Sequence, residues 1–368
     1  MPSALLGLLS ALLLPLGFGP GVTTGTTAGT ALPHEARAAS GNPLAGHPWG
    51  TYEGPQELSW APYQNATGHR KKLLGYIALA PKAKWFGAWI PDDQIADRVS
   101  EYIANAQHGD PSTLVQLTVF RMVPWEQEAC QRLPTKAERT SYKRWVNRFA
   151  KAVGSARAAV VVQPDGPFAL CAPHGSKAPS HLVSYAAKRI ARQPNASVYV
   201  EAGAADWPAA GQGGVRAAAR LLVRGGVRYA RGFALDSTHF DSTTAEVRRA
   251  AAISRRLATL GYAGRTAVIN TSSNGHPYVY GDYTGKDPDN PMVCASATVP
   301  ATTTCATLGI PPTTRVGAAR WGLSAHVSRL ARKYVDAYLW VGRPWLYRQS
   351  QPFVAKRALR LVRSTPWR

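Results

Sequence analysis

Carboxylates are scarce in this chain, with 21 Asp and Glu against 43 Lys and Arg, so their placement is informative. Asp165 follows the apolar run "AAVVVQ" (158–163), Glu201 falls at the end of "ASVYVEA" (196–202), and Asp236 closes "RGFALD" (231–236). The amide Asn270 closes "TAVIN" (266–270) in the same way. Acids gathered at the ends of apolar runs suit hydrolytic acid–base chemistry. One carboxyl keeps its proton near neutral pH and gives it to a leaving group, while a second group takes a proton from water. Taken singly, each of the four could equally be a helix cap or a turn former. Tryptophans stand nearby: Trp85 and Trp89 after the first apolar run, Trp125 after the second, Trp207 after the fourth, and Trp340 and Trp345 about the last. Indole faces pack on the C–H faces of sugar rings while acids and amides bind hydroxyls, so Trp85, Trp207 and Trp340 are candidate sugar contacts. Trp89 and Trp145, set within apolar runs, are expected in the core.

Strands and helices in alternation would position these residues. Seven apolar, β-branched runs recur: "LLGYIALA" (73–80), "TLVQLTVF" (113–120), the four named above, and "DAYLWVG" (336–342). Helical periodicity fills most intervals. Ile95, Val99, Tyr102 and Ile103 share one face, as do Tyr142, Trp145, Val146, Phe149 and Val153 ahead of Gly154. A further helix is expected from a Ser242 cap to Gly261, with others near 319–333 and over 351–368. Such alternation implies a parallel sheet, either a closed barrel or an open doubly wound sheet. No GxGxxG or phosphate loop follows any strand, which disfavours a nucleotide-binding sheet. A barrel places its chemistry at the C-terminal ends of strands, where the acids fall.

Bulk properties bound the rest. "MPSALLGLLSALLLPLGFG" carries an apolar run over Leu5–Leu16 too short to span a bilayer, and Ala36-Arg37-Ala38 has small-x-small form. Residues 1–39 are read as a signal peptide, despite the missing positive start, with an uncleaved anchor as the other reading, and 40–368 as the secreted mature domain. Four cysteines in a secreted chain suggest two disulfides. Cys294 and Cys305 bracket a Thr-rich loop, while Cys130 and Cys171 flank the third strand. No CxxC or HxxxH spacing points to a metal. The net charge is +22, with twelve Lys and Arg but one acid from Pro311 onward. With a leader and no nucleic-acid motif, this reads as a basic surface able to hold anionic wall material.

Eight segments in order resemble glycoside hydrolase family 6: "NPLAGHPWGTYEGPQE" (42–57), "APKAKWFGAW" (80–89), "QPDGPFAL" (163–170), "VYVEAGAADWP" (198–208), "RGFALDSTHF" (231–240), "VINTSSNG" (268–275), "LGIPPTT" (308–314) and "DAYLWVGRPW" (336–345). The resemblance implies a distorted seven-stranded parallel β/α barrel in one domain. It also implies a secreted, monomeric cellulase-type enzyme that inverts configuration and needs no metal or cofactor. In the family's Glu-Pro-Asp motif the Asp is the general acid, here Asp165. Glu201-Ala202-Gly203 stands for Asp-Ala-Gly, Trp207 for the tryptophan beyond it, and Asp236–Asp241 for an Asn-rich stretch in which His239 replaces an Asn.

The departures concern charge. Gln163 stands for the motif's Glu, and Asn270 for an Asp. The family's Leu-Pro-Asp-Arg-Asp-Cys becomes "MVPWEQEAC", whose only carboxylates, Glu126 and Glu128, are candidates for the base function. The family's acid-bearing segment after the last strand is replaced by "GRPWLYRQSQPF", without an acid. The family's second disulfide reaches past that lost segment, whereas a local Cys294–Cys305 pair is expected here. Two functions follow from these facts: an active glucan hydrolase, or a glycan-binding protein on the same scaffold with impaired catalysis.

Overall fold

The computed structural model describes residues 41–368; the expected leader, 1–39, lies outside the described residues. Helices α1 (Trp60–Gln64) and α2 (Gly68–Ala78) come first. Seven strands follow: β1 (Lys84–Gly87), β2 (Val115–Phe120), β3 (Ala158–Val162), β4 (Ala196–Glu201), β5 (Gly232–Leu235), β6 (Thr266–Asn270) and β7 (Val335–Leu339). Between them run α3 (Ile95–Gln107), α4 (Lys136–Val153), α5 (Ala178–Ile190), α6 (Gly214–Arg224), α7 (Thr243–Thr259) and α8 (Ala325–Tyr334); α9 (Ala355–Ser364) closes the chain. Strand order equals chain order and every neighbouring pair is parallel. This is the expected seven-stranded β/α barrel, with a seam. Among the described residues β1 and β7 share no ladder. Their ends meet through Ala83 N–H on Trp340 O at 2.9 Å and the Trp85 indole N–H on Val341 O at 2.7 Å.

Period-two alternation builds two cores from one sheet. Trp85, Ala159, Val161, Tyr199, Ala234, Val268 and Ala337 fill the interior. Val160, Val162, Val198, Val200, Phe233, Leu235 and Ile269 face the helices, with Trp145 fully buried among them. Interior space is tight at β5: a Cβ on Gly232 would lie 1.7 Å from the Thr266 carbonyl oxygen. The helix caps are those the sequence implies. Thr135 and Glu138 form a capping box on α4, and the Ser242 hydroxyl accepts from Ala245 N–H on α7. No described helix is long and apolar enough to cross a membrane.

Two expectations are corrected. "LLGYIALA" is the second half of α2 and the loop after it, not a strand; Leu73, Leu74, Ile77 and Ala78 recur at helical spacing and are buried. Short apolar runs do not distinguish the two states, and the first strand is instead Lys84–Gly87, so that Trp85 lies in it. Trp89, expected in the core, is 57% exposed, its ring lying over Gly87, where a Cβ would meet it at 2.2 Å.

A satellite core joins the two ends of the chain. Leu73, Leu74 and Ile77 of α2 pack with Leu359, Leu361 and Val362 of α9 around Trp340, Trp345 and Leu346. Both disulfides form, Cys130–Cys171 and Cys294–Cys305, with Cα separations of 4.9 and 5.0 Å. At the N-terminal ends of β5–β7 a cavity of about 580 Å³ is lined by Arg231, Thr266 and Asp336 among others. The acids singled out from sequence lie at the other end of the sheet.

Candidate active site

Asp165 is placed by a strained turn. Gln163 and Asp165 both adopt left-handed backbone, at φ 59° and 61°, which costs a non-glycine residue about 1–2 kcal/mol each. The surroundings hold them there. Gln163 N–H donates to Val119 O at 2.8 Å, and its Oε1 accepts from Met122 N–H at 3.2 Å. The Trp125 indole donates to Pro164 O at 2.9 Å. Gly166 then passes so close to β4 that a Cβ would lie 2.3 Å from Glu201 O. The Asp165 carboxyl, half-buried, accepts the Thr238 hydroxyl at 2.6 Å. Burial raises its pKa; the Thr238 bond and the His239 charge act against this, Asp289 acts with it, and the net displacement is upward.

Glu201, at the end of β4, is buried and accepts the Ser237 hydroxyl at 2.5 Å. Burial chiefly, with the Asp165 charge adding to it against the Ser237 bond, pushes its carboxyl up to about 8. Glu201 is therefore protonated near neutral pH.

The loop after β4 meets the loop after β5 in an aromatic wall. His239 lies between Trp207, at 5.3 Å and 3° between planes, and Tyr280, at 4.9 Å and 25°. Its Nδ1 bonds Asp206 Oδ1 at 2.7 Å. Burial opposes charge on both partners, but the pair outweighs it: Asp206 is brought down to about 2 and His239 is raised above its ordinary value. Phe168 meets the other side of Trp207 edge-on at 5.0 Å. Glu126 lies at the surface, and partial loss of solvent around its carboxyl, together with the charges of Asp165 and Asp289, raises its pKa. Asp289 accepts the Tyr280 hydroxyl at 2.7 Å, and its neighbour Asp287 pairs with Arg348, beyond β7, at 2.9 Å.

Other residues singled out from sequence do different work. Glu128 points outward to Arg132 at 2.7 Å, which also binds Glu138, so it is a surface ion pair and not a base candidate. Asn270 uses its whole amide internally. Nδ2 donates to Asp236 O at 2.8 Å, while Oδ1 accepts from Ser272, Val341 and Gly342 N–H at 3.1, 2.9 and 3.1 Å. It clamps the ends of β5 and β7 and has no valence left for a sugar; a carboxylate could not donate to Asp236 O. Trp340 is 1% exposed with its N–H on Ile310 O, so it is core and not a sugar platform. Trp85 is 5% exposed and covered by the Arg343 guanidinium at 4.5 Å, leaving no free face. Asp236 is 1% exposed beneath the wall, out of reach of a ligand in the cleft. Asp165, Glu201, Trp207 and His239 are brought together, with Glu126 near them.

Three residues escaped the sequence reading. Asp206 directly precedes Trp207, and an acid beside a loop tryptophan was the available signal. Thr238 and Asp289 carried none, because their roles arise from loops that meet only in the fold.

The profile of Glycosyl hydrolases family 6 matches residues 50–345. Endoglucanase A of Cellulomonas fimi is 28% identical over 229 residues, 62% of this chain and 47% of that protein. The chain thus spans about half of that relative. Endoglucanase 1 of Streptomyces halstedii is 27% identical over 62% of this chain and 70% of its own length. The endoglucanase Cel6 of Mycobacterium tuberculosis, solved with methyl-cellobiosyl-4-deoxy-4-thio-β-D-cellobioside, superposes with a TM-score of 0.66 at 28% identity, covering 87% of this chain and 98% of its own. The cellobiohydrolase core of Chaetomium thermophilum shares the fold, with a TM-score of 0.61 at 17% identity over 89% of this chain and 99% of its own. With a profile match over most of the chain, a parallel seven-stranded β/α ring and a half-buried acid on the turn after β3, the chain belongs to glycosyl hydrolase family 6.

Proposed function

We propose that this protein is a secreted β-1,4-glucan hydrolase that works by inversion, with Asp165 as general acid. The observation that carries the reading is the placement of Asp165: half-buried at a strand end, held by Thr238, with its carboxyl raised by burial in the direction a general acid needs. In the reaction that proton passes to the glycosidic oxygen as the bond to C1 breaks, while water adds to C1 from the opposite face. The water's proton leaves towards Glu126, whose carboxyl is raised by burial and by the charges of Asp165 and Asp289. Trp207, kept in place by His239 and Phe168, stands half-buried beside Asp165's turn as the candidate sugar contact. The two disulfides fit an oxidising, extracellular setting. The Arg- and Lys-rich α8 and α9 supply basic surface for anionic wall polymers.

A second reading, glycan binding without turnover, is favoured by the segment after β7, which carries Arg343 and Arg348 and no acid over 342–353. Reducing-sugar release from soluble β-glucan by wild type and Asp165→Asn separates the two. Under the enzymatic reading the variant loses about 10²–10⁴-fold. Equal rates would leave binding as the function. NMR of the first-formed anomer checks inversion, and a retained configuration would refute the mechanism.

A further inference from the structure

Beneath the aromatic wall, Asp236, Asp241 and Glu246 each turn a carboxylate oxygen to a common point, and these oxygens lie within 4.8 Å of one another. The three residues are 1%, 6% and 0% exposed. Their hydrogen bonds are incomplete. Asp236 Oδ1 accepts from Asp241 N–H at 3.4 Å, Asp241 Oδ2 from Asp206 N–H at 3.2 Å, and Glu246 Oε1 from Ala205 N–H at 2.5 Å. Asp236 Oδ2 and Glu246 Oε2 are buried with no partner at all. No salt bridge reaches these three acids among the described residues; the cations that act on them are His239, close to Asp241 but bonded to Asp206, and Arg249, which donates to Pro208 O at 2.9 Å. An unpaired carboxylate oxygen in a dry site costs several kcal/mol, so two of them in one buried cluster call for a partner.

We propose that Asp236, Asp241 and Glu246 form a binding site for one divalent cation of calcium size. The donors are hard oxygens, the class calcium takes at about 2.3–2.6 Å, so two oxygens across one ion stand up to about 5 Å apart. Oxygens within 4.8 Å of one another can share such an ion, and a dry, all-protein set of donors is one that magnesium, which keeps several of its waters, takes poorly. Burial first, then mutual repulsion, sets the carboxyls of Asp236 and Glu246 well above their ordinary values. Asp206 and His239 stand next to the triad, but their bond to each other satisfies them. Through Asp206, which donates to Asp241 and holds His239, the ion would brace the Trp207–His239–Tyr280 wall from below. The site does not depend on the catalytic reading, because its test reads binding and melting only.

The mature chain, stripped with chelator, is titrated with calcium chloride at pH 7.5 by calorimetry, and its melting temperature is followed in calcium and in magnesium. One calcium per chain and a saturable rise in melting temperature of several degrees are expected, with magnesium at least ten-fold weaker. Glu246→Gln should abolish both responses yet melt close to wild type in chelator, since Gln keeps the side chain's size and its Oε1 can still accept from Ala205 N–H; Asp241→Asn should do the same if the first variant fails to fold. Absence of heat and of any melting shift in wild type would overturn the site. So would an equal response in the variants, which would put the ion elsewhere, or equal responses to both metals.

Discussion

Replacing Glu201 with Gln should change how stability depends on pH more than it changes stability itself. The Glu201 side chain is 2% exposed, and its carboxyl is pushed from 4.5 to about 8, chiefly by burial. The folded state therefore holds this proton more tightly than the unfolded chain. As pH rises above about 4.5 the unfolded form ionises first, and the native state loses stability relative to it. The loss grows until the folded carboxyl also ionises near 8, and is complete above that. At about 1.4 kcal/mol per pH unit, the displacement is worth up to about 5 kcal/mol. Gln has no proton to lose, and its amide oxygen can still accept the Ser237 hydroxyl. The difference in melting temperature, variant minus wild type, should thus climb between pH 4.5 and 8 and then level. At roughly 2 °C per kcal/mol for a domain of this size, the climb is about 10 °C. Scanning calorimetry of both proteins at pH 4, 6, 8 and 9 measures it, and taking the difference cancels the pH response of the other buried acids. A difference that stays flat across this range, or falls, would falsify the assignment of Glu201 as a neutral buried acid.

Removing the hydroxyl that Asp165 accepts, by Thr238→Val, should raise the Asp165 pKa further, so the alkaline limb of kcat/KM moves to higher pH; a pH–rate profile with an unmoved limb would contradict the bond's role. Asp336 receives Tyr199 Oη, Arg231 Nε and Thr266 Oγ1 at 2.8, 2.9 and 2.7 Å at the far end of the barrel. Asp336→Ala should cost about 3–5 kcal/mol in urea unfolding while leaving the activity of the folded fraction unchanged. Gly232→Ala, whose new methyl would meet Thr266 O, should part β5 from β6 and yield little soluble protein; wild-type yield and melting would show that the backbones can separate.

Much of this fold was legible because burial writes a period into sequence. Six of the seven strands were named from runs of β-branched residues, and α3, α4 and α7 from 3.6-residue spacing and their caps. The failure at "LLGYIALA" is physical: eight apolar residues suit a buried helix face as well as a strand, and only packing against α9 decides. At the site, Asp165 was legible because a strand followed by Pro-Asp-Gly can end in few ways. Asn270 looked like a ligand and proved a clamp, since its partners at Val341 and Gly342 lie some seventy residues away in sequence. Glu128 is four residues from Arg132, a spacing that favours an ion pair and that the resemblance outweighed. Asp289 reaches the cleft only because Tyr280 and the Arg348–Asp287 pair draw its loop inward, a tertiary effect without a local signature.

The seam between β1 and β7 bears on the order in which the molecule assembles. A ring with a full ladder at every junction has no preferred place to open, but here one junction has a single backbone bond. The helices around that junction are α2 and α9, one near each end of the described chain, and Tyr76 Oη reaches Trp367 O at 2.8 Å. Closure therefore needs α9 and Trp367 in place against α2, whereas β2 to β6 can pair without them. In hydrogen exchange the Ala83 amide should open as one unit with α2 and α9, ahead of the central strands.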